Sequence, residues 1–157
     1  MSNVMRWRYG DTNPVMLQVA SLTVIEIGDF IYQSGGAALP ASELADAGTE
    51  AANQEAFHDL FVGVAMQASP SGVANPIRVA TSGVFEFDCL ATTAEVGDLL
   101  GVDEDGAGVE LTNQLVAKVA TANLAIGRCA KRANPAATRL LVEIVSTVLR
   151  GGPQVMA

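Results

Sequence analysis

The sequence is short of the residues on which most enzyme chemistry is built. Its 157 residues include one histidine, His58, and two cysteines, Cys89 and Cys129, which lie far outside Cys-x-x-C spacing. A Ser-His-Asp triad, a histidine-based zinc cluster or a His acid–base pair needs partners that nothing else in the chain supplies. There is no Gly-x-Ser-x-Gly elbow, no G-x-G-x-x-G turn and no G-x-x-x-x-G-K-[ST] loop. Gly35-Gly36 is followed by Ala-Ala-Leu-Pro, without the lysine that a phosphate loop requires. No apolar run reaches the roughly 18 residues of a membrane helix. The first ten residues hold no apolar h-region, so no secretory signal is read and synthesis in the cytoplasm is expected. In a reducing compartment the two cysteines read as buried thiols, with a disulfide as the alternative. The expectation is a protein that is not an enzyme, with no cofactor, no metal and no membrane partner.

Half of the residues are hydrophobic and only 17% are charged, which excludes intrinsic disorder and suits one β-domain with a real core. Basic residues are scarce through most of the chain. Residues 11–110 hold Arg78 against sixteen acids, a net charge of −15, whereas residues 111–157 carry a net +5 and the first ten residues +2. Such a chain can meet a copy of itself or a partner with opposite charges facing, unless folding mixes the charges over one surface. An acidic total argues against nucleic acid as a ligand, because neutralising phosphates needs a basic face.

What is present is β-pattern. Val15, Leu17 and Val19 alternate with Met16, Gln18 and Ala20, and Leu22 to Ile27 continues the β-branched bias. Gly28-Asp29 reads as a turn, Phe30 to Tyr32 as a short strand, and Ser34 to Pro40 as a loop. The stretch 41–59 is rich in Ala and Glu and reads as an insertion, with a helix over Glu50 to Asp59 and Thr49 as its N-cap. Strands follow at Phe61 to Met66 and Ile77 to Cys89, where Phe85, Phe87 and Cys89 face one way and Glu86 and Asp88 the other. Gly97-Asp98 is a second turn. Leu99 to Val102, Leu115 to Ala120, Leu124 to Ala130 and Leu140 to Val148 complete the strands, with Asn134-Pro135 as a break between the last two. Many short strands with close turn signals indicate a β-sandwich or β-barrel, with one short helix in an insertion. Residues 15–150 form the β-domain, and Gly151-Gly152-Pro153 opens a C-terminal tail, 151–157.

A weak internal repeat runs through this pattern. The Gly-Asp turn at Gly28 recurs at Gly97, 69 residues on, and Leu60-Phe61-Val62-Gly63-Val64-Ala65 resembles Leu124 to Ala130, whose Gly127 lies 64 residues after Gly63. Two β-units related by pseudo-symmetry would bury a shared core. Coincidence of β-turn chemistry gives the same pattern.

Four features are candidates for function. The first fourteen residues, MSNVMRWRYGDTNP, have no period and read as an extended N-terminal arm in which Arg6, Trp7, Arg8 and Tyr9 form an adhesive segment. Arginine and aromatic residues dominate interface energetics. The bland reading is an arm folded back on its own domain. His58 reads as a surface residue of the helix. Asp103-Glu104-Asp105-Gly106 has the carboxylate density of a calcium loop but lacks its later oxygen ligands, so a solvated acidic turn is expected. Glu86 and Asp88 read as the polar outer face of a strand.

Taken in order, the motifs I-G-D-F-I-Y, L-F-V-G-V-A, I-R-V-A-T-S-G-V-F-E-F, V-G-D-L-L-G-V-D, I-G-R-C-A and T-R-L-L-V-E-I span about Leu17 to Val148. That order resembles a group of small tailed-phage virion proteins, formerly grouped as a domain of unknown function, that includes capsid decoration (cement) and head-fibre-base proteins. The insertion at 41–59 and the aromatic, basic arm depart from the family pattern. The resemblance implies a β-barrel or sandwich that forms a homotrimer and sits on the outer capsid surface of a virion. There it would bind the major capsid protein across its junctions and stabilise the shell. It leaves open a receptor- or glycan-binding role as a head-fibre or spike base.

Overall fold

Twice in this chain a Gly-Asp turn is closed by the same set of hydrogen bonds. Gly28 and Gly97 both stand at φ 95°, a left-handed conformation that favours glycine. The Gly28 amide donates to the Ala65 carbonyl and the Gly97 amide to that of Cys129, each at 2.9 Å. Asp29 Oδ2 accepts from the Glu26 amide at 2.9 Å, and Asp98 Oδ2 from the Glu95 amide at 3.0 Å. These matched turns mark a duplication of the whole β-fold, seen in a computed structural model that describes residues 5–150. The expected tail, 151–157, and the start of the arm lie outside the described residues.

The protein is mainly β. Its strands are β1 (Trp7–Tyr9), β2 (Val15–Leu17), β3 (Phe30–Ser34), β4 (Ala37–Pro40), β5 (Phe61–Ala65), β6 (Ile77–Ala80), β7 (Ser82–Ala94), β8 (Leu99–Glu104), β9 (Leu111–Lys118), β10 (Gly127–Cys129) and β11 (Ala133–Val145). The helices are α1 (Glu50–Leu60) and α2 (Thr147–Arg150), with short 3-10 turns at Ala41–Glu43 and Ala122–Leu124.

The first unit has the order β2-β6-β5-β3-β4, and the second has β7-β11-β10-β8-β9 with β1 added outside β7. Registers coincide as well as order. Val15 faces Val79 and Leu17 faces Ile77, as Phe85 faces Val142 and Phe87 faces Leu140. Ile31 faces Gly63 as Leu100 faces Gly127, and Ala65 faces Val79 as Cys129 faces Val142. Both units close through a parallel contact between their first and third strands. In the first it is a single bridge, Gln18 to Ala37; in the second it is a β7–β9 pairing at Asp88–Leu115 and Cys89–Val116. The second unit is a five-stranded barrel with one extra edge strand.

Two apolar clusters fill the molecule. Val19, Ile25, Ile31, Ala38, Val62 and Ala65 belong to a cluster of the first unit, while Phe61 and Val64 on the same strand β5 belong to the larger cluster shared with the second. β5 is therefore buried on both faces, which explains its uninterrupted apolar run. Phe30 meets Phe87 of the second unit with ring centroids 4.6 Å apart. Phe57 of α1 lies against Tyr32 at 5.9 Å and Phe61 at 5.6 Å. As expected, Thr49 caps α1, its side chain accepting from the Ala52 amide at 3.2 Å.

Polar side chains tie the halves together. Gln114 of β9 donates to the Ile27 carbonyl at 3.1 Å and to the buried Asp29 carboxylate at 2.9 Å. Burial raises the Asp29 pKa, and the bonds from Gln114 and the Glu26 amide oppose that rise. From α1, Gln54 donates to the Val102 carbonyl at 2.9 Å.

Four sequence expectations need correction. Ser34 to Pro40 is a hairpin, because Gly35 and Gly36 both take positive φ (59° and 80°) and so form a tight turn matched to strand twist, which lets Ala37–Pro40 pair with β3. Leu22 to Ile27 is irregular, its one β-bridge among the described residues being Ile25 to Ser69. Asn134-Pro135 does not break the chain, since β11 runs through it with register shifts between Ala133 and Arg139. The last predicted strand stops at Val145, and α2 follows.

Gly63 and Gly127 are equivalent points where two backbones nearly touch. A Cβ on Gly63 would stand 1.7 Å from the Ala80 carbonyl oxygen, and one on Gly127 would stand 2.3 Å from that of Glu143. Neither carbonyl can rotate out of its ladder without breaking the strand pair. Gly63→Ala and Gly127→Ala should each destabilise the fold by about 3 kcal/mol or more, measured by urea denaturation. Gly35→Ala, where the added Cβ meets nothing within 4 Å, should show only the milder strain of its positive φ.

Candidate protein-interaction surface

The arm folds back along its own domain. Met5 packs against the shared core, and β1 pairs antiparallel with β7, placing Trp7 opposite Phe85 and Tyr9 opposite Val84. The Glu86 amide donates to the Arg6 carbonyl at 2.9 Å. Glu86 and Asp88 do face outward, yet they are not simply solvated. Arg6 forks onto Asp88 with bonds of 3.1 and 2.9 Å, and Arg8 reaches Glu86 at 3.0 Å. From the other side of β7, Arg139 of β11 donates to Asp88 at 3.2 Å and comes within 3.7 Å of Glu86. The Arg6 hydrogen bonds, helped by the charges of Arg6 and Arg139, hold the Asp88 carboxyl below its ordinary pKa.

Arg6 is thus mostly spent inside the molecule, with 16% of its side chain exposed, while its three neighbours are not. Trp7 is 47% exposed and Tyr9 53%. Trp7 Nε1 donates to the Gly10 carbonyl at 3.0 Å, which fixes the indole beside Gly83. Arg8 and Tyr9 line one side of a groove of about 530 Å3, whose other wall carries Lys131, Arg132 and Arg139 and whose lining includes Leu140. Sequence reasoning singled out the arm but not this opposing wall. The signal was the basic run of the last third, whose strand register with Asp88 could not be read from composition.

A second charged region lies where the start of α1 meets the end of β8. Asn53 donates to Glu104 at 2.7 Å and to Asp46 at 3.1 Å, holding the start of α1 against the end of β8. Glu50 and Asp103 share a hydrogen bond, and burial followed by mutual repulsion raises the Glu50 pKa; burial also raises that of Asp103. Asp105 turns inward on its own loop, its Oδ1 accepting from the Val109 amide at 3.1 Å. Among the described residues no group of three or more His, Cys, Asp or Glu side chains could hold a metal ion.

His58 is a correction. It is buried, with 3% exposure, and its Nδ1 lies 2.7 Å from the Ala125 carbonyl. A carbonyl only accepts, so Nδ1 carries the proton and His58 clasps the second unit. Burial reverses the surface reading because the face of α1 that carries Asn53, Gln54 and Phe57 is the one packed inward. Cys89 and Cys129 are buried free thiols whose pKa values burial pushes up. Compared with models of known protein families and with curated proteins, the chain matches none.

Trp7 is the chain's sole tryptophan and reports on β1. Because Asp88 is held below its unfolded pKa of about 3.9, its grip on the arm is complete above that pH and is lost as pH falls through the lower folded value. Tryptophan emission followed during acid titration should change with a midpoint below about 3.9. In Asp88→Asn the emission should already be altered at neutral pH, with no such step on acidification.

Proposed function

We propose that this protein is a structural virion protein that decorates an icosahedral phage capsid. In this reading it sits on the outer capsid surface as a homotrimer and stabilises the shell by binding across junctions of the major capsid protein. The observation that carries the proposal is strand β1, where Trp7, Arg8 and Tyr9 stand exposed on a backbone already fixed to the domain. Exposed aromatics beside an arginine are the side chains that anchor protein interfaces. β1 ends the order of its sheet, so its outer backbone edge is open among the described residues to a strand from a shell protein. The ordered sequence motifs support the same reading. Binding only the assembled shell raises its stability by mass action, and repeated copies add avidity.

A receptor- or glycan-binding role, as a head-fibre or spike base, is the second reading. The exposed rings of Trp7 and Tyr9, the latter lining the groove, favour it, since sugars stack on exposed rings.

Deleting the arm would remove β1 and the Arg6–Asp88 pair, mixing lost binding with lost stability. Trp7→Ala/Tyr9→Ala avoids this because both side chains are about half exposed. The double variant should keep its melting temperature within about 2 °C. It should co-sediment with shells at least about tenfold more weakly, and it should no longer raise the shells' melting temperature. Unchanged shell affinity in the double variant would overturn β1 as the contact strip. A wild type that neither occupies nor stabilises shells would overturn the decoration reading, and glycan binding by the wild type without shell binding would favour the second.

A further inference from the structure

The two charged regions described above have opposite signs and do not overlap. One is the groove between β1 and β11, where Arg8, Lys131, Arg132 and Arg139 outnumber the one acid of the lining, Glu86. Arg139 and Arg8 share their charge with Glu86 and Asp88, and Arg132 with Glu95, but the Lys131 side chain has no acidic partner among the described residues. The other is an acidic cap where the start of α1 meets the β8–β9 hairpin, formed by Asp46, Glu50, Asp103, Glu104, Asp105 and Glu110. No ion pair among the described residues reaches any of these acids. Within the cap the carboxyls repel one another, and burial adds to the cost of keeping Glu50 and Asp103 ionised. A cation brought from outside would relieve that repulsion.

We propose that the basic groove of one copy receives the acidic cap of a second copy of this chain. Charge complementarity selects this occupant. The acids of the cap have no ion-pair partner among the described residues, so each copy offers an unneutralised anionic surface to the groove of another. A nucleic acid would need a basic face larger than this one groove to neutralise its phosphates. The contact joins different surfaces, so it is heterologous, and it leaves a free groove at one end and a free cap at the other. Such contacts close into a ring when the rotation allows and otherwise extend as a filament. The inference deepens the homotrimer in the decoration reading, which is the ring it would close, but it needs no shell to be tested.

The test is sedimentation velocity of the full chain in low and high salt. Wild type should associate at low salt and dissociate as salt rises, because a rim of exposed charges is screened over about 3 Å at 1 M compared with about 10 Å at 0.1 M. Lys131→Glu/Arg132→Glu should weaken association about tenfold or more, and Glu50→Lys/Glu110→Lys should do the same from the other side. These four side chains lie outside the Arg6–Asp88 clamp, and unchanged circular dichroism would show each variant folded. Mixing the two variants should restore association, since each supplies the partner the other lacks. A wild type that stays monomeric at low salt, or an oligomer indifferent to salt, would overturn the proposal. So would variants that associate as wild type does, or a mixture that fails to recombine. Shell co-sedimentation measured separately distinguishes this failure from failure of the decoration reading, since a groove variant that still binds shells leaves the latter standing.

Discussion

The fold depends on two places where one strand's backbone comes so close to another's that no side chain fits between them. At Gly63 and Gly127 an added Cβ would overlap a carbonyl oxygen of β6 or β11. A five-stranded barrel has a narrow interior, and its strands must bend sharply to close, which brings backbones together at the bends. Glycine at these points lets each unit close around small and branched residues such as Val62, Ala65 and Val79. The same close approach carries β5 past β6 with apolar residues on both of its faces, so the first unit can share a core with the second. Phe30, Phe61 and Phe87 then fill the junction.

Much of this was legible because the sequence repeats itself where the geometry does. Gly28-Asp29 and Gly97-Asp98 encode one hydrogen-bonded turn twice, and the glycines at 63 and 127 recur inside matching strands. Alternation placed Phe85, Phe87 and Cys89 inward, and Thr49 announced its helix. What was misread depended on partners remote in sequence. Ala37–Pro40 has little β-character of its own and becomes a strand because the Gly35-Gly36 turn returns it to β3. Leu22 to Ile27 has β-branched residues but finds no neighbouring ladder beyond one bridge. His58 was placed outside because a short amphipathic helix shows its faces poorly when three of its four buried residues are polar, namely Asn53, Gln54 and His58 itself.

The candidate surface was half legible, for a related reason. Arg6, Trp7, Arg8 and Tyr9 are adjacent in sequence, so their composition could be seen at once. Their opposite wall comes from β11, more than a hundred residues away, and only the β7–β11 register sets Arg139 beside Asp88. Net charge by segment detected the polarity of the chain but not its arrangement. The structure uses part of that polarity internally, pairing arginines at both ends of the sequence with acids in the middle, and leaves the α1 cap and Lys131 unpaired among the described residues.

The folded-back arm changes the physics of adhesion without removing its chemistry. A free arm would lose about 1–2 kcal/mol of backbone freedom per residue when ordered on a partner, offsetting much of what its aromatics contribute. Here the ladder to β7 and the fork of Arg6 on Asp88 bear that ordering during folding. Trp7, Arg8 and Tyr9 are then presented as a preorganised strip whose backbone loses little on contact. In the proposed reading Arg6 serves as the fastener and its three neighbours as the contact surface. Strand alternation sets both Arg6 and Arg8 over the acids of β7, but Arg8 stays about half exposed, and the edge beyond β1 is left open. The more firmly that fastener holds, the less entropy a partner must overcome. In the proposed reading, stability of the clamp and strength of adhesion are therefore coupled through one carboxylate, Asp88.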